Sequence, residues 1–245
     1  SASELATGPP GGRDAVRFTD AVGGTPRVIY SGWRPPMPDT RELTPEETGG
    51  LRVRLPPVLG FHPELHLAPL PGGRLAVVDS FAYRVRIVAA DGTVLEDIQR
   101  PIEPVPVTAG LREAARSIQR EALEASRPRR VVSDRAGRTA AAPTGPMARL
   151  EEARIDAMGF HPRVPVVARL GADPLGRIWV ERTGSEPGRP GPTDLLTPEG
   201  RYLGTLPADG LRLPDAFGPE GLAAWVETDA LGAAVVSVGR IREEG

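Results

Sequence analysis

The most regular part of the chain is residues 65–100, where apolar and polar positions alternate in short runs separated by turn residues. Alternation with a period of two, interrupted by Gly, Pro and Asp, is typical of antiparallel β-hairpins. A single sheet leaves an apolar face uncovered, so we expect further sheets to pack beside this one. The pattern predicts a four-stranded meander made of Leu65–Leu70, Leu75–Asp79, Tyr83–Ala89 and Thr93–Ile98.

Shorter alternating runs lie on both sides of the meander. Before it, they predict a hairpin formed by Asp14–Asp20 and Arg27–Tyr30, and a strand at Leu51–Leu55. The chain is therefore expected to be all-β. The strands predicted after the meander are Val131–Asp134, Arg138–Ala141, Val164–Leu170, Arg177–Arg182, Thr193–Leu196, Tyr202–Leu206, Gly221–Glu227 and Ala233–Ile241.

One segment interrupts the β pattern and predicts a helix at residues 111–126, within an insertion at residues 108–128. Thr108 can cap the first turn, and Pro128 ends the pattern. A second segment, residues 147–158, fits either a helix or a strand. The apolar residues expected on one face of the first helix are Leu111, Ala115, Ile118 and Ala122.

A short motif occurs three times. In each copy a Pro-x-Gly turn precedes an apolar strand, and the strand ends at an acidic residue. The interval from Gly176 to Gly221 is 45 residues, which is the length of one four-stranded propeller blade. The repeat therefore predicts several similar sheets packed side by side. The three copies are Pro71–Asp79, Pro174–Glu181 and Pro219–Glu227.

The repeat also gives the expected domain organisation. We expect a tail or linker at residues 1–13 and a β-propeller-like domain over residues 14–245. This domain would hold about four blades, or part of a six-bladed ring. The last copy lacks a second hairpin, and we expect residues 14–30 to lend the strand that completes it.

Several segments resemble a known family. They are GGRLAVVDSFAYRVRIVAADGTV, PIEPVPVT followed by a helix, ADPLGRIWVER and PEGRYLGTLP, and they are similar to bacterial six-bladed β-propeller proteins of the NHL-repeat group. The resemblance covers roughly residues 65–241 and implies the C-terminal part of such a ring. Because members of this group are mostly exported, the resemblance also implies an extracytoplasmic location, in the periplasm or at the cell surface. A cytoplasmic location is the alternative. It implies no particular activity.

Composition excludes several classes of function. The chain has 30 basic and 32 acidic residues and a net charge of -2, which argues against nucleic-acid binding. It contains no cysteine, so it has no disulfide, thiolate metal site or cysteine nucleophile. No apolar run approaches the roughly 18 residues of a transmembrane helix. No phosphate-binding loop or nucleophile elbow is present, and we predict no catalytic residues.

The tetrapeptide Gly-Phe-His-Pro occurs twice, at residues 60–63 and 159–162. Two interpretations of its histidines, His62 and His161, are open. They could meet over a central channel and bind a metal or a substrate. Alternatively, each phenylalanine anchors the core while the histidine caps a backbone group. The second interpretation is favoured because metal sites normally need three or four converging ligands.

Asp79, Glu181 and Glu227 close the three repeated strands, and we expect them to fall at the same place in successive repeats. A ring of such carboxylates could hold Ca²⁺, which binds six to eight oxygen atoms. The alternative is that they pair with neighbouring arginines. Trp179 and Trp225 also match by position, and we expect both to pack between blades.

We expect the chain to be a non-enzymatic binding or scaffold module, for example an accessory subunit of an envelope or membrane-associated assembly. Incomplete blades expose strand edges, which invite pairing with a protein partner or a second copy. The alternative is a metal-dependent, lactonase-like hydrolase with an ion in the channel. Candidate partner-binding residues are Trp33, which opens a Pro-rich connector, and the cluster Arg127, Arg129 and Arg130, which follows the helix.

Overall fold

The computed structural model describes residues 13–18, 27–33, 41–48, 50, 52–55, 58–126, 131–133, 139–141, 146–229 and 232–242. These residues are mostly β-sheet, as expected, with helices inserted. The chain forms two compact units. The first unit comprises Ser1–Pro36, Pro63–Val105 and Arg163–Gly245, and the second comprises Met37–His62 and Pro106–Pro162. The predicted insertion at residues 108–128 thus lies within a larger unit.

Short strands joined by turns account for most of the described residues. The helices are Pro45–Thr48 (α1), Ala109–Ser126 (α2) and Pro146–Asp156 (α3). The strands are Arg13–Phe18 (β1), Arg27–Trp33 (β2), Arg41–Leu43 (β3), Val53–Leu55 (β4), Leu59–Gly60 (β5), His66–Leu70 (β6), Arg74–Val78 (β7), Arg84–Val88 (β8), Val94–Gln99 (β9), Val131–Ser133 (β10), Thr139–Ala141 (β11), Gly159–Phe160 (β12), Val167–Ala172 (β13), Ile178–Thr183 (β14), Pro190–Leu196 (β15), Tyr202–Leu206 (β16), Ala216–Phe217 (β17), Leu222–Thr228 (β18) and Ala234–Arg240 (β19).

The described residues of the first unit form four antiparallel sheets, each made from strands that follow one another in the chain. The first hairpin pairs β1 with β2. Sheet 1 has the order β6-β7-β8-β9, sheet 2 has β13-β14-β15-β16, and sheet 3 has β17-β18-β19. The meander predicted for residues 65–100 is therefore confirmed. Within the described residues these sheets stay separate and do not close into a barrel.

The three Pro-x-Gly turns share one backbone feature. Each joins the first two strands of its sheet, and its last glycine has a positive φ, with values of 72° at Gly73, 81° at Gly176 and 76° at Gly221. Residues with a Cβ rarely adopt this conformation, so glycine is the residue that the turn favours. The repeated turns predicted from the sequence are confirmed.

Sheet 1 is buried on both of its faces. Side chains alternate between the two faces of a strand, and on one face Ala76 and Val78 pack with Ile178 and Val180 of sheet 2. On the other face, Val77 packs with Tyr30 of the first hairpin. Burying a valine or isoleucine side chain stabilises the fold by about 1.5–3 kcal/mol. The apolar core therefore lies between consecutive sheets.

Sheets 2 and 3 meet around an aromatic pair. The rings of Trp179 and Phe217 are 5.4 Å apart, and Trp179 is fully buried. The prediction that this tryptophan packs between sheets is confirmed. Trp225 is only half-buried, and its indole Nε1 donates a hydrogen bond of 3.2 Å to the carbonyl oxygen of Arg212. It lies one position later in its strand than Trp179 does, so the predicted match of the two positions is wrong.

The first hairpin packs on sheet 1. A Cβ added to Gly92, at the turn between β8 and β9, would lie 2.7 Å from the carbonyl oxygen of Ile29, so the two backbones touch there. In the described residues, β1 and β2 form a two-stranded sheet of their own. The prediction that residues 14–30 complete the last sheet is therefore wrong for these residues.

The second unit contains the predicted helix. Thr108 caps α2, since its Oγ1 accepts a hydrogen bond of 3.3 Å from the backbone N–H of Leu111. The predicted apolar face was only partly correct, because Ile118 and Ala122 are exposed. Arg116 and Arg120 instead turn toward the rest of the unit, where Arg120 pairs with Asp156 at 2.8 Å.

The remaining elements of the second unit are short. The ambiguous segment at residues 147–158 forms α3, which buries Leu150 and Ile155. Two small antiparallel hairpins pair β3 with β4 and β10 with β11. One parallel bridge joins β5 to β12, which lie far apart in the sequence.

Candidate functional site

The parallel bridge brings the two Gly-Phe-His-Pro copies side by side. Leu59 and Gly60 pair with Gly159 and Phe160, so both loops leave the bridge in the same direction. The imidazole Nδ1 of His62 lies 3.3 Å from Nε2 of His161, a distance that fits a hydrogen bond between the rings. The two histidines therefore meet, which agrees with the less favoured of the two interpretations of the duplicated motif.

The phenylalanines that precede the two histidines pack against each other. The rings of Phe61 and Phe160 are 6.0 Å apart, and the guanidinium of Arg116 lies 5.0 Å from the centre of the Phe160 ring. Phe61 has a φ of 58°, which is uncommon for a residue with a Cβ. The phenylalanines thus anchor both loops, and the histidines bond to each other.

Lowering the pH should destabilise the second unit through this pair. Burial and the charge of His62 both lower the pKa of His161 below its ordinary value of 6.5. A histidine whose pKa is lower in the folded state than in the unfolded state stabilises the fold above pH 6.5. That contribution is lost as the pH falls through the folded-state pKa.

Titration of the histidine ring protons by NMR checks this prediction. We expect a midpoint below 6.5 for His161, and a higher midpoint in the variant His62→Gln, which removes the neighbouring charge. His66 is the control, because burial lowers its pKa as well but it lies outside the pair, so its midpoint should not move. A His161 midpoint at or above 6.5 in the unchanged protein would contradict the prediction.

The carboxylate of Asp79 is buried and fully engaged at the junction between the first hairpin and sheet 1. It accepts hydrogen bonds from the hydroxyl of Tyr30 at 2.8 Å and from the backbone N–H of Trp33 at 2.7 Å. Its other oxygen pairs with Arg86 at 2.8 Å. Burial and the nearby carboxylate raise the pKa of Tyr30, which stays protonated as a donor. This arrangement fastens the hairpin to the sheet.

The repeat places the three predicted carboxylates at two different positions. The first residues after the turns are Arg74, Arg177 and Leu222. Asp79 and Glu227 follow five residues later, whereas the residue five after Arg177 is Arg182. Glu181 therefore lies one position earlier and points to the opposite face of its sheet.

Glu181 and Glu227 have their own arginine partners. Glu181 is buried and lies 3.5 Å from Arg169, and burial raises the pKa of its carboxyl. Glu227 is more exposed and pairs with Arg212 at 3.0 Å. Among the described residues, which include all five predicted ligands, no three His, Asp or Glu side chains are grouped to hold a metal ion. A bound Ca²⁺ stays a prediction from the sequence.

Sequence reasoning missed a second buried carboxylate, that of Asp194 on β15. It is fully buried and accepts hydrogen bonds from Arg100, at the end of sheet 1, and from Thr205. Arg182 lies 3.5 Å from it. Like Asp79, this carboxylate joins its sheet to the element that precedes it. An acidic residue within an apolar strand was the signal that could have identified it.

The predicted partner-binding residues are only partly described. Trp33 is half-buried, and its ring packs edge-on against Phe81 with the ring centres 6.0 Å apart. Its indole N–H has no hydrogen-bond partner among the described residues. This tryptophan packs within the first unit. The cluster Arg127, Arg129 and Arg130 lies outside the described residues.

Among the described residues of the first unit, one apolar surface is left uncovered, and sequence reasoning did not find it. We call it the open face, and it consists of Val226, Val236 and Val238 on sheet 3, which are 54%, 61% and 67% exposed. Cross-strand pairing of Val226 with Val236 places these side chains on one side of the sheet. The alternating pattern alone could not distinguish an exposed valine from a buried one.

The register shows what the open face corresponds to in the other sheets. Val226 lies four residues after Leu222, the first residue past the turn of sheet 3. The residues at the same distance from their turns are Val78 in sheet 1 and Glu181 in sheet 2. In sheets 1 and 2 this side of the sheet is buried against the next sheet along the chain. The open face is thus the surface on which a further element would pack.

Comparisons with known proteins add no family to this description. No protein-family model matches the chain, and no curated protein matches it. In the described part of the chain, neither α2, the longest helix, nor any other helix combines the length and apolarity needed to cross a bilayer.

Proposed function

We propose that the chain is a non-enzymatic protein-binding or scaffold module with a β-propeller-like architecture, acting as an accessory subunit of a larger assembly. The observation that carries the proposal is the open face of sheet 3. Its exposed valines continue a surface that is buried at the equivalent place in sheets 1 and 2.

The arrangement of the first unit supports the propeller-like interpretation. Propeller blades are antiparallel meanders of four strands that pack face to face in chain order. Sheets 1 and 2 have this order and share one apolar core, and sheet 3 follows with the same turn at its start. The resemblance to NHL-type propellers, which rests on the sequence, implies the same architecture.

The open face supports the binding role. Contiguous exposed apolar side chains on a folded protein commonly mark an interaction site. The three valines form such a group on one side of two paired strands. Their charge-free surface suits a partner with an apolar face of its own.

The alternative predicted from the sequence is a metal-dependent hydrolase. The carboxylates proposed as its ligands have arginine partners at 2.8 Å for Asp79, 3.5 Å for Glu181 and 3.0 Å for Glu227. Elemental analysis of the purified protein separates the two functions. A stoichiometric divalent metal, together with hydrolysis of a lactone, would replace the proposed function by the alternative.

Site-specific photocrosslinking in producing cells tests the proposed function directly. Val238 is replaced by a photoreactive phenylalanine derivative, and Leu175, a turn residue that is 70% exposed, receives the same group as a control. We expect one discrete protein adduct at position 238 and none at position 175. The captured protein, once purified, should bind the unchanged chain saturably and bind the variant Val236→Lys about tenfold more weakly. The same adducts at both positions, or none at position 238, would contradict the proposal.

A further inference from the structure

In the described part of the chain, the third sheet has an unpaired strand edge at a place where sheets 1 and 2 carry a fourth strand. Strand β19 pairs with β18 along one edge, and the order of the sheet ends there within the described residues. In sheet 1 the equivalent strand β8 also pairs with β9, and in sheet 2 β15 also pairs with β16. The edge of β19 therefore corresponds to a position that a strand fills twice elsewhere in the same unit.

The pairing of β18 with β19 shows which backbone groups face outward. The backbone N–H of Asp229 donates to Ala233, and that of Ile241 donates to Gly221. Hydrogen-bonded and non-hydrogen-bonded pairs alternate along an antiparallel ladder. The residues of β19 whose N–H and C=O groups point away from β18 are therefore Ala234, Val236, Val238 and Arg240.

This edge lacks the usual protection against strand addition. Natural edge strands are commonly blocked by charged side chains, prolines or bulges. Residues 234–239 have the sequence Ala-Val-Val-Ser-Val-Gly, without charge or proline, and they pair with β18 in continuous register. The first charged residue is Arg240, at the end of the strand.

The sister sheets show what chemistry the missing strand would have. Val236 corresponds to Val85 in sheet 1 and to Thr193 in sheet 2, and these are paired with Ile98 and Leu206. A large aliphatic residue therefore stands opposite this position in both sheets. Val238 corresponds to Ile87 and Leu195, which are paired with Glu96 and Gly204, so no large apolar residue is required there.

We propose that an extended segment of a protein partner adds to β19 as an antiparallel fourth strand and places an isoleucine or leucine opposite Val236. The proposal rests on the proposed function and specifies how the partner binds. Backbone hydrogen bonds supply affinity in this mode of recognition, and the alternate side chains supply selectivity.

Hydrogen exchange in the intact chain, followed by NMR, tests whether the edge is free. We expect slow exchange for the amides of Val235 and Ser237, which face β18, and fast exchange for those of Val236 and Val238. Light scattering of the same sample gives the oligomeric state. If all four amides exchange slowly and the protein is a dimer, a second copy covers the edge. If all four exchange slowly and the protein is a monomer, another part of the chain covers it. Either result overturns the proposal.

A synthetic peptide then tests strand addition. Its sequence is that of residues 92–100, GTVLEDIQR, the fourth strand of sheet 1, in which Ile98 stands opposite the equivalent of Val236. We expect saturable binding that slows exchange at Val236 and Val238. Two control peptides, one with aspartate at the Ile98 position and one N-methylated at alternate residues, should bind at least about tenfold more weakly.

The variant Val236→Pro provides the matched change in the protein. It removes an outward N–H and leaves the ladder with β18 intact, so it should fold and lose peptide binding. Equal binding of all three peptides, or no binding to a free edge, would overturn strand addition. In the second case a crosslink at position 238 would still support the proposed function, so failure of the two proposals can be told apart.

Discussion

Replacing Trp179 with alanine is expected to lower the free energy of unfolding by about 3–5 kcal/mol. The side chain is fully buried between sheets 2 and 3, where its ring meets that of Phe217 at 5.4 Å. Its indole N–H also donates to Asp173 at 3.3 Å, so the variant leaves a cavity and removes a buried donor. Urea denaturation monitored by circular dichroism measures the change.

Trp225 provides the control for this experiment. It lies on β18, the strand of sheet 3 that corresponds to β14, but it is only half-buried. Its replacement by alanine should therefore cost less, about 1–2 kcal/mol. Equal losses for the two variants would mean that Trp179 contributes no more to the packing between sheets than a half-buried side chain does.

Replacing Asp194 with asparagine is expected to lower the free energy of unfolding by about 2–4 kcal/mol. The side chain keeps its size but loses its charge, and Arg100 and Arg182 then lack a carboxylate partner. The expected loss lies toward the low end of the range for a broken buried ion pair, because Arg100 is 28% exposed and retains some hydration.

Asp97 is the matched control for Asp194. It is the same type of residue, it pairs with Arg84 through a bond of 2.8 Å, and it lies in the same unit, but its side chain is 33% exposed. The variant Asp97→Asn should change stability by about 1 kcal/mol or less. A loss at position 194 no greater than at position 97 would contradict the assigned role of the buried carboxylate.

Local patterns in the sequence were sufficient to predict the strands and their turns. In residues 65–100 the apolar alternation and the glycine-containing turns agree, so the four strands of sheet 1 were predicted nearly at their observed bounds. The cap at Thr108 likewise located α2. These features depend on interactions among residues close in the chain.

Features that depend on distant contacts could not be predicted in the same way. Nothing near β2 indicates that it packs on sheet 1, because Tyr30 and Asp79 are 49 residues apart. The duplicated tetrapeptide left open whether His62 and His161 meet, because they are 99 residues apart and the parallel bridge that aligns them is itself a contact between distant strands. The misalignment of Glu181 was avoidable, since counting from the turn glycine already shows the difference of one residue.

The charges at the sheet junctions are inverted between neighbouring repeats. Asp79 and Arg86 of sheet 1 occupy the places that Arg182 and Asp194 occupy in sheet 2. If sheet 1 of a second chain took the place of sheet 2 during folding, Arg100 would meet Arg86 rather than Asp194, and two guanidinium groups would lie next to each other. Misassembly of similar repeats is a known hazard of such chains. The inversion therefore disfavours docking between two copies of the same sheet, so these charges help to select the neighbour of each sheet as well as to stabilise the junction.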